Sequence, residues 1–458
     1  MDTTSNNTQH SINKIRKSSD SQEKREAVIV FKTNLPEQYR IDSTNLTIPI
    51  TYTKENLNKL LKKLFEKERK SHENKNFEFY INNQILDTEL ITFLTNNEKD
   101  ITSEQVLEIY YFFELSEPEL INTVKEDEWI RKIVCLTSED SLINNNPTKY
   151  CVGLFNSEVS FYDPTFKKMM TVNNQTTDIT ENVMEMLNDI LFVKSNSKTF
   201  LAIASRSEEE NVGIYDINTK SGASKKISFV GKIDNEYINC LSSNPVDLNC
   251  FCAGDTTGSL RIYKFLKNNE EVESTKPNKK QKTEVSRLNH VTEINRAHTS
   301  EIKLTKWINN MQIITSGDDF SIKVWNTSTN ANFCNFNSSY KVATSFASFN
   351  NTEGILAGYD DGKIRTWDIR APNQANNLQF SGHKNKVSEI QVNPLMQQMF
   401  VSTGFDKMVK VWDLRSKKPL YEIKCEEGEK NFGLAFNSGK YFMVGGDNSA
   451  VRIYDTGI

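Results

Sequence analysis

Residues 404–415 read GFDKMVKVWDLR. A glycine turn is followed by Asp406, then by Val409 and Val411 alternating with Lys410 up to Trp412, the period-two pattern of a half-buried strand. Six further segments end the same way on an aromatic residue: VSFYDP at Tyr162, VGIYDI at Tyr215, LRIYKF at Tyr263, IKVWNT at Trp325, IRTWDI at Trp367 and VRIYDT at Tyr454. The successive intervals are 53, 48, 62, 42, 45 and 42 residues. Self-similarity at this period marks a repeat architecture in which each unit buries its faces only against its neighbours. The spacing predicts seven four-stranded blades of a β-propeller over residues 119–458. The last repeat stops soon after its aromatic strand, so its blade lacks an outer strand. ELINTV, just after Pro118, is expected to supply it and close the ring.

His383, Ser402, Asp406 and Trp412 fall in the sixth repeat, and His298, Thr315, Asp319 and Trp325 fall at the same offsets in the fourth. In each, Asp stands six residues before Trp, the hydroxyl residue ten before, and His in the entry loop. One copy looks like a hydrolase triad, but a trio recurring in two repeats is architecture. It resembles the hydrogen-bonded tetrad of WD repeats, which holds one blade together. The fifth repeat keeps Asp361 and Trp367 without the His, and the first three keep little beyond the aromatic strand.

Upstream the pattern changes. EAVIVFKT from Glu26 and LTIPITYT from Leu46 read as strands. KENLNKLLKKLFEKERK repeats Leu57, Leu60, Leu61, Leu64 and Phe65 at helical spacing beside a Lys/Glu face, with Thr53 placed to cap it. FEFYINNQIL carries a turn-forming Asn82–Asn83, TELITFL a short helix, and QVLEIYYFFE a last strand. Strand, strand, helix, strand, short helix, strand is the order of a β-grasp (α+β) domain, expected over residues 26–114.

The composition sets limits. With 458 residues, 56 basic and 60 acidic, the formal charge is −4, unlike a chain that coats nucleic acid along its whole length. Seven cysteines at irregular spacing are no disulfide framework, and Cys250 and Cys252 read as two strand thiols rather than half a zinc site. No phosphate-cradling glycine loop, zinc-ligand spacing or nucleophile elbow is present. No cofactor, intrinsic metal or catalytic activity is therefore expected. Residues 1–25 hold no apolar run and are expected to be a disordered tail without a signal peptide, and no segment approaches the ~20 apolar residues of a membrane span. A polar insertion at 266–292 carries Lys276, Lys279, Lys280 and Lys282, a cluster of the kind read by nuclear import receptors. A plain solvated linker is the competing reading.

Two longer matches bear on function. FEFYINNQIL, TELITFL and ITSEQVLEIYYFFE together resemble the ubiquitin-like (NLE) domain at the N-terminus of ribosome-biogenesis WD-repeat proteins. EDEWI at 126–130 and GFDKMVKVWDLR are similar to the WD-repeat family that assembles with pescadillo and the block-of-proliferation protein in the PeBoW complex. The chain runs on through Leu115–Pro118 with no Gly-Gly tail, so conjugation is not implied. The resemblance implies a non-enzymatic assembly factor of the large (60S) ribosomal subunit, acting in pre-rRNA processing in the nucleolus and nucleoplasm. Its propeller would bind the block-of-proliferation partner, and its ubiquitin-like domain would engage the midasin ATPase for release from pre-60S particles. In that family an acidic residue before the last ubiquitin-like strand completes the Mg²⁺ shell of midasin's adhesion site. The matching position is Glu104, with Glu98 and Asp100 as neighbouring rivals. Taken alone, Ser103–Glu104 is an ordinary solvated turn. Contact with pre-rRNA through the lysine cluster is a further expectation.

A reading from another class rests on WDIR at 367–370 and WDLR at 412–415, which resemble the motif of WD-repeat substrate receptors of cullin-RING ubiquitin ligases. Arg370 and Arg415 would then face the ligase adaptor. Ligase receptors do not require a ubiquitin-like domain, which weighs against this alternative.

Overall fold

The computed structural model describes all residues except 1–25, 34–36, 42–44, 69–75, 83, 97–105, 137–141, 144–145, 148–149, 174–185, 196–197, 207–209, 219–222, 232–235, 266–287, 338–339, 350–353, 372–377, 426–429, 438 and 458. The chain divides into two compact units, Met1–Ser116 and Glu117–Ile458. The expected tail and residues 266–287 of the expected insertion lie outside the described residues.

In the first unit β1 (Glu26–Lys32) and β2 (Leu46–Pro49) are followed by α1 (Lys54–Lys67), β3 (Phe77–Ile81), β4 (Gln84–Ile85), α2 (Leu90–Asn96) and β5 (Val106–Phe113). The sheet order is β2-β1-β5-β3-β4, with β1 and β5 parallel at its centre and the other pairs antiparallel. That is a β-grasp. Leu57, Leu61 and Phe65 lie on one stripe of α1 and bury against Phe31, Phe77, Phe79 and Tyr111. Each such side chain contributes roughly 1.5–3 kcal/mol by leaving water. Asn58 fixes the helix to the sheet edge: its amide donates to Phe77 O (2.8 Å) and accepts from Phe77 N (2.8 Å), as a neighbouring strand would. Two local expectations fail. β2 stops at Pro49, which has no N–H to extend the ladder, and a turn follows with Tyr52 N donating to Pro49 O at 3.2 Å. Thr53 occupies the N-cap position but makes no side-chain capping bond.

The second unit is a seven-bladed propeller of four-stranded antiparallel sheets. The seven aromatic endings are the third strands of successive blades: Glu158–Tyr162, Glu210–Asn218, Leu260–Phe265, Ser321–Asn326, Lys363–Asp368, Met408–Asp413 and Ala450–Asp455. Because successive side chains point to opposite faces of a strand, each blade feeds two seams. Cys151, Val159 and Phe161 of blade 1 pack on Leu187, Leu201 and Ile203 of blade 2, while Tyr150, Val152 and Tyr162 pack on Met443, Val451 and Ile453 of blade 7. Cys250 and Cys252 lie together in the seam between blades 3 and 4. The ring closes where Glu119–Lys125 adds as the outer strand of blade 7, pairing Lys125 with Ala450 through to Glu119 with Asp455. The insertion is shorter than the sequence suggests: Leu288–Ile294 is the outer strand of blade 3, covering what would otherwise be the open edge of Leu260–Phe265.

Candidate functional site

The tetrads are built alike. In blade 6, Trp412 Nε1 donates to Ser402 Oγ (2.8 Å), Ser402 Oγ meets His383 Nε2 (2.7 Å), and His383 Nδ1 meets both Asp406 carboxylate oxygens (2.9 Å each). In blade 4, Trp325 Nε1 donates to Thr315 Oγ1 (2.9 Å), Thr315 meets His298 Nε2 (2.7 Å), and His298 Nδ1 meets Asp319 at 2.9 and 3.0 Å. One set of protons satisfies each network: indole N–H to hydroxyl, hydroxyl O–H to Nε2, Nδ1–H to carboxylate. In blade 4 that set leaves His298 neutral. Burial pushes His298 below the ordinary imidazole range, against the opposing pull of Asp319. Burial alone would raise Asp319, but bonds from Ser321 and His298 outweigh it and hold the carboxyl at about 2. Ser402 and Thr315 are fully buried and their oxygens already accept an indole N–H. The trio therefore braces the blade and is not poised to attack a carbonyl.

Gly317 and Gly404, each two residues before the tetrad aspartate, make room for the imidazole. A Cβ there would meet His298 Nδ1 at 2.6 Å or His383 Nδ1 at 2.8 Å. Blade 5 solves the same problem without histidine. Tyr359 takes the glycine's place, its Oη accepts from Trp367 Nε1 (2.9 Å), and Arg365 covers its ring at 4.4 Å while pairing with Asp361 (2.7 Å). Blades 1 and 3 carry cores the sequence reading missed. Arg261, 5 % exposed, bonds Asp255, Glu236 Oε2 (2.8 Å) and Glu293 Oε1 (3.0 Å). Glu126 accepts from Tyr162, Ser160 Oγ (3.3 Å) and Lys168 Nζ (2.7 Å). A signal for the first was present: a cation stands two residues before the aromatic in LRIY, IKVW, IRTW, VKVW and VRIY.

Of the residues singled out for partners, Glu104, Glu98 and Asp100 lie outside the described residues, in the stretch between α2 and β5, as do Lys276, Lys279, Lys280 and Lys282. Arg415 forks onto its own Asp413 at 2.6 and 2.8 Å with 14 % of its side chain exposed, whereas Arg370 is 64 % exposed beside Asp368 (3.3 Å). The two arginines are thus not presented alike, and the ligase reading is not favoured.

The inner strands leave a concavity at each end of the channel. One, about 570 Å³, is mostly apolar, with Ile133, Val134, Leu136, Val392, Leu395 and Phe436 in its wall. The other, about 330 Å³, includes Arg131, Lys303, Asp318, Asp360, Lys386 and Phe405. The second lies at the tetrad end, since Asp318 adjoins Asp319 and Lys386 shares a turn with His383. Such concave ends on a rigid ring suit the holding of other molecules. Among the described residues no group of three or more His, Cys, Asp or Glu is placed to hold a metal, and no helix is long and apolar enough to cross a membrane.

The family comparisons agree with this layout. Residues 27–94 match the NLE (NUC135) domain and residues 376–413 the WD domain, G-beta repeat. The chain is similar to proteins named ribosome biogenesis protein WDR12 homolog. That of Trichoplax adhaerens is 26% identical over 82% of this chain and 84% of its own length. That of Oryza sativa subsp. japonica is 23% identical over 94% and 96%, and that of Arabidopsis thaliana 22% over 93% and 95%.

Proposed function

We infer that this chain, which carries an NLE domain and a WD-repeat propeller and has homologues named ribosome biogenesis protein WDR12 homolog, is itself a ribosome biogenesis factor. The observation that carries the reading is shared organisation. The similarity to the rice relative runs over 94% of this chain and 96% of that protein, so β-grasp unit and propeller correspond together rather than one common module alone. A propeller whose hydrogen-bonded trios are buried structural braces does its work through its surfaces, which supports assembly rather than catalysis.

In its finer form the reading is an assembly factor of the large (60S) subunit in nucleolus and nucleoplasm. The propeller binds the block-of-proliferation protein and, with pescadillo, scaffolds the complex that pre-rRNA processing needs. The lysines at 276, 279, 280 and 282 direct nuclear import. The β-grasp unit offers Glu104 to the Mg²⁺ of the midasin adhesion site. A hard cation takes oxygen, and a carboxylate from outside completes its shell. Depletion of the chain, followed by pulse-labelling of pre-rRNA, tests the reading. Large-subunit rRNA precursors should accumulate while small-subunit rRNA matures normally. Unchanged processing of both would remove it.

A further inference from the structure

The tetrad-end mouth of the channel carries two cations that no direct ion pair neutralises among the described residues. Neither Arg131 nor Lys386 has a carboxylate within ion-pair distance among the described residues. The acidic groups around them are committed elsewhere. Asp318 holds Lys303 (3.2 Å), Glu389 holds Lys132 (3.3 Å), and Asp189 accepts from the backbone N–H groups of Ile190 and Leu241 (2.9 Å each). Among the described residues, Asp360 alone of the lining carboxylates has no side-chain bond of its own. Burial first, then Arg131 and Lys303, hold the Lys386 ammonium below its ordinary value, with Asp360 and Asp318 opposing. Burial also lowers Arg131. Like charges held together in a partly dry mouth are costly, and an incoming anion would relieve that cost.

Aromatic rings border the same mouth. Phe432 stands edge-on between Phe155 (5.3 Å) and Phe405 (5.4 Å), and Trp129, 49% exposed, extends the row beyond Phe155 (6.0 Å). Arg131 covers Phe155 at 5.8 Å, while Lys386 and Lys430 cover Phe405 at 5.4 and 5.7 Å. Thr344 and Ser388 add hydroxyls to the lining.

We propose that this mouth docks an acidic segment of a protein partner, seating a carboxylate between Arg131 and Lys386 and an apolar side chain on the Phe155–Phe432–Phe405 rim. Charge complementarity identifies the occupant. A nucleic acid suits the mouth less well on two counts. Asp318 and Asp360 in the lining repel a continuous phosphodiester, and Arg131 over Phe155 and Lys386 and Lys430 over Phe405 compete with a base for the ring faces while leaving the ring edges and Phe432 to an apolar side chain. A peptide brings isolated carboxylates together with backbone N–H donors that Asp360 can accept. A cavity of about 330 Å³ is at the small end of ligand sites, sized for a few side chains.

The inference goes beyond the ribosome reading and is tested on the purified full chain, so its outcome is independent of pre-ribosomes. The probe is a fluorescein-labelled hexapeptide of alternating glutamate and phenylalanine, read by anisotropy against a glutamine–phenylalanine peptide and a short single-stranded RNA. The acidic peptide should bind and the glutamine peptide should bind at least about tenfold more weakly, the loss expected when one side of a charge pair is removed. Lys386→Glu and Arg131→Gln should each weaken the acidic peptide by a similar factor. Lys386→Met, which keeps the apolar stem, should do so with an unchanged melting temperature, so misfolding is separated from lost charge. Lys384→Glu, exposed on the same turn but outside the lining, should leave binding intact. No binding at millimolar peptide, equal binding of both peptides, or equal loss in Lys384→Glu would overturn the proposal. RNA binding that needs Lys386 while peptide binding does not would assign the mouth to nucleic acid instead.

Discussion

Ser402→Ala removes one oxygen from a site that is fully buried. That oxygen serves two partners: it accepts from Trp412 Nε1 at 2.8 Å and bonds His383 Nε2 at 2.7 Å. Both partners stay in place after the substitution, because Trp412 is itself fully buried between Phe380 and Phe400. Each group left without a bond costs about 1–3 kcal/mol, so with two such groups the variant should lose about 2–6 kcal/mol. Ser402→Thr should lose less than about 1 kcal/mol, since Thr315 makes the same two bonds in blade 4. Asp406→Ala should cost about 1–3 kcal/mol by stranding His383 Nδ1, and the double variant should lose less than the sum, since both act through one imidazole. Urea denaturation followed by tryptophan fluorescence measures these differences, with Trp412 among five reporters. A Ser402→Ala variant within about 0.5 kcal/mol of the parent, near the limit for surface changes, or a Thr variant as damaged as the Ala variant, would refute the bracing role.

Tyr359→Phe should lose about 1–3 kcal/mol by leaving Trp367 Nε1 without an acceptor, in a blade that lacks the histidine altogether. Removal of residues 117–125 should lower the melting temperature and promote self-association, seen by light scattering, because Ala450–Asp455 becomes an open edge. The pH response follows from His298. Its folded pKa lies below the ordinary 6.5, so under that pH the unfolded chain binds more protons and stability falls. Asp319, held at about 2, adds its own loss only as pH drops from near 4 toward 2. The urea midpoint should therefore fall between pH 7.5 and 5, and nitrogen-detected NMR should show His298 taking up its proton at a lower pH than an ordinary imidazole. Glu104→Ala should abolish, and Glu104→Asp, shorter by about 1.5 Å, should weaken, a Mg²⁺-dependent association of the chain with the midasin adhesion domain. Association that survives chelation would count against the carboxylate–metal contact.

The propeller was legible because seven aromatic strand endings recur at a near-constant interval, and a strand alternation needs no long-range knowledge to be recognised. The tetrads were legible for the same reason, since their members keep fixed offsets within one repeat. What the sequence hid are solutions in which another residue type does the same work. Tyr359 fills by its ring the space that Gly317 and Gly404 leave for histidine. Arg261 stands at the recurring cation position two residues before the aromatic, but it and Glu126 gather partners from up to 42 residues away, and local spacing carries no record of those partners. The cationic mouth leaves no mark in the sequence because Arg131 and Lys386 are distant along the chain and share a cavity only where the ring brings blade 1 round towards blade 6. Most of Leu288–Ile294 falls within the polar insertion that the sequence suggests at 266–292, because a strand containing Asn289, His290, Thr292 and Glu293 owes its conformation to its partner and not to its composition.

The most direct measurement of the central claim is affinity purification of the tagged full chain, with co-purifying proteins and RNA identified together. The account predicts large-subunit precursor particles, with block-of-proliferation- and pescadillo-type proteins at near-equal amounts and unprocessed large-subunit rRNA. Recovery of a cullin-RING ligase adaptor in stoichiometric amount, with ribosomal proteins and pre-rRNA at background, would contradict it.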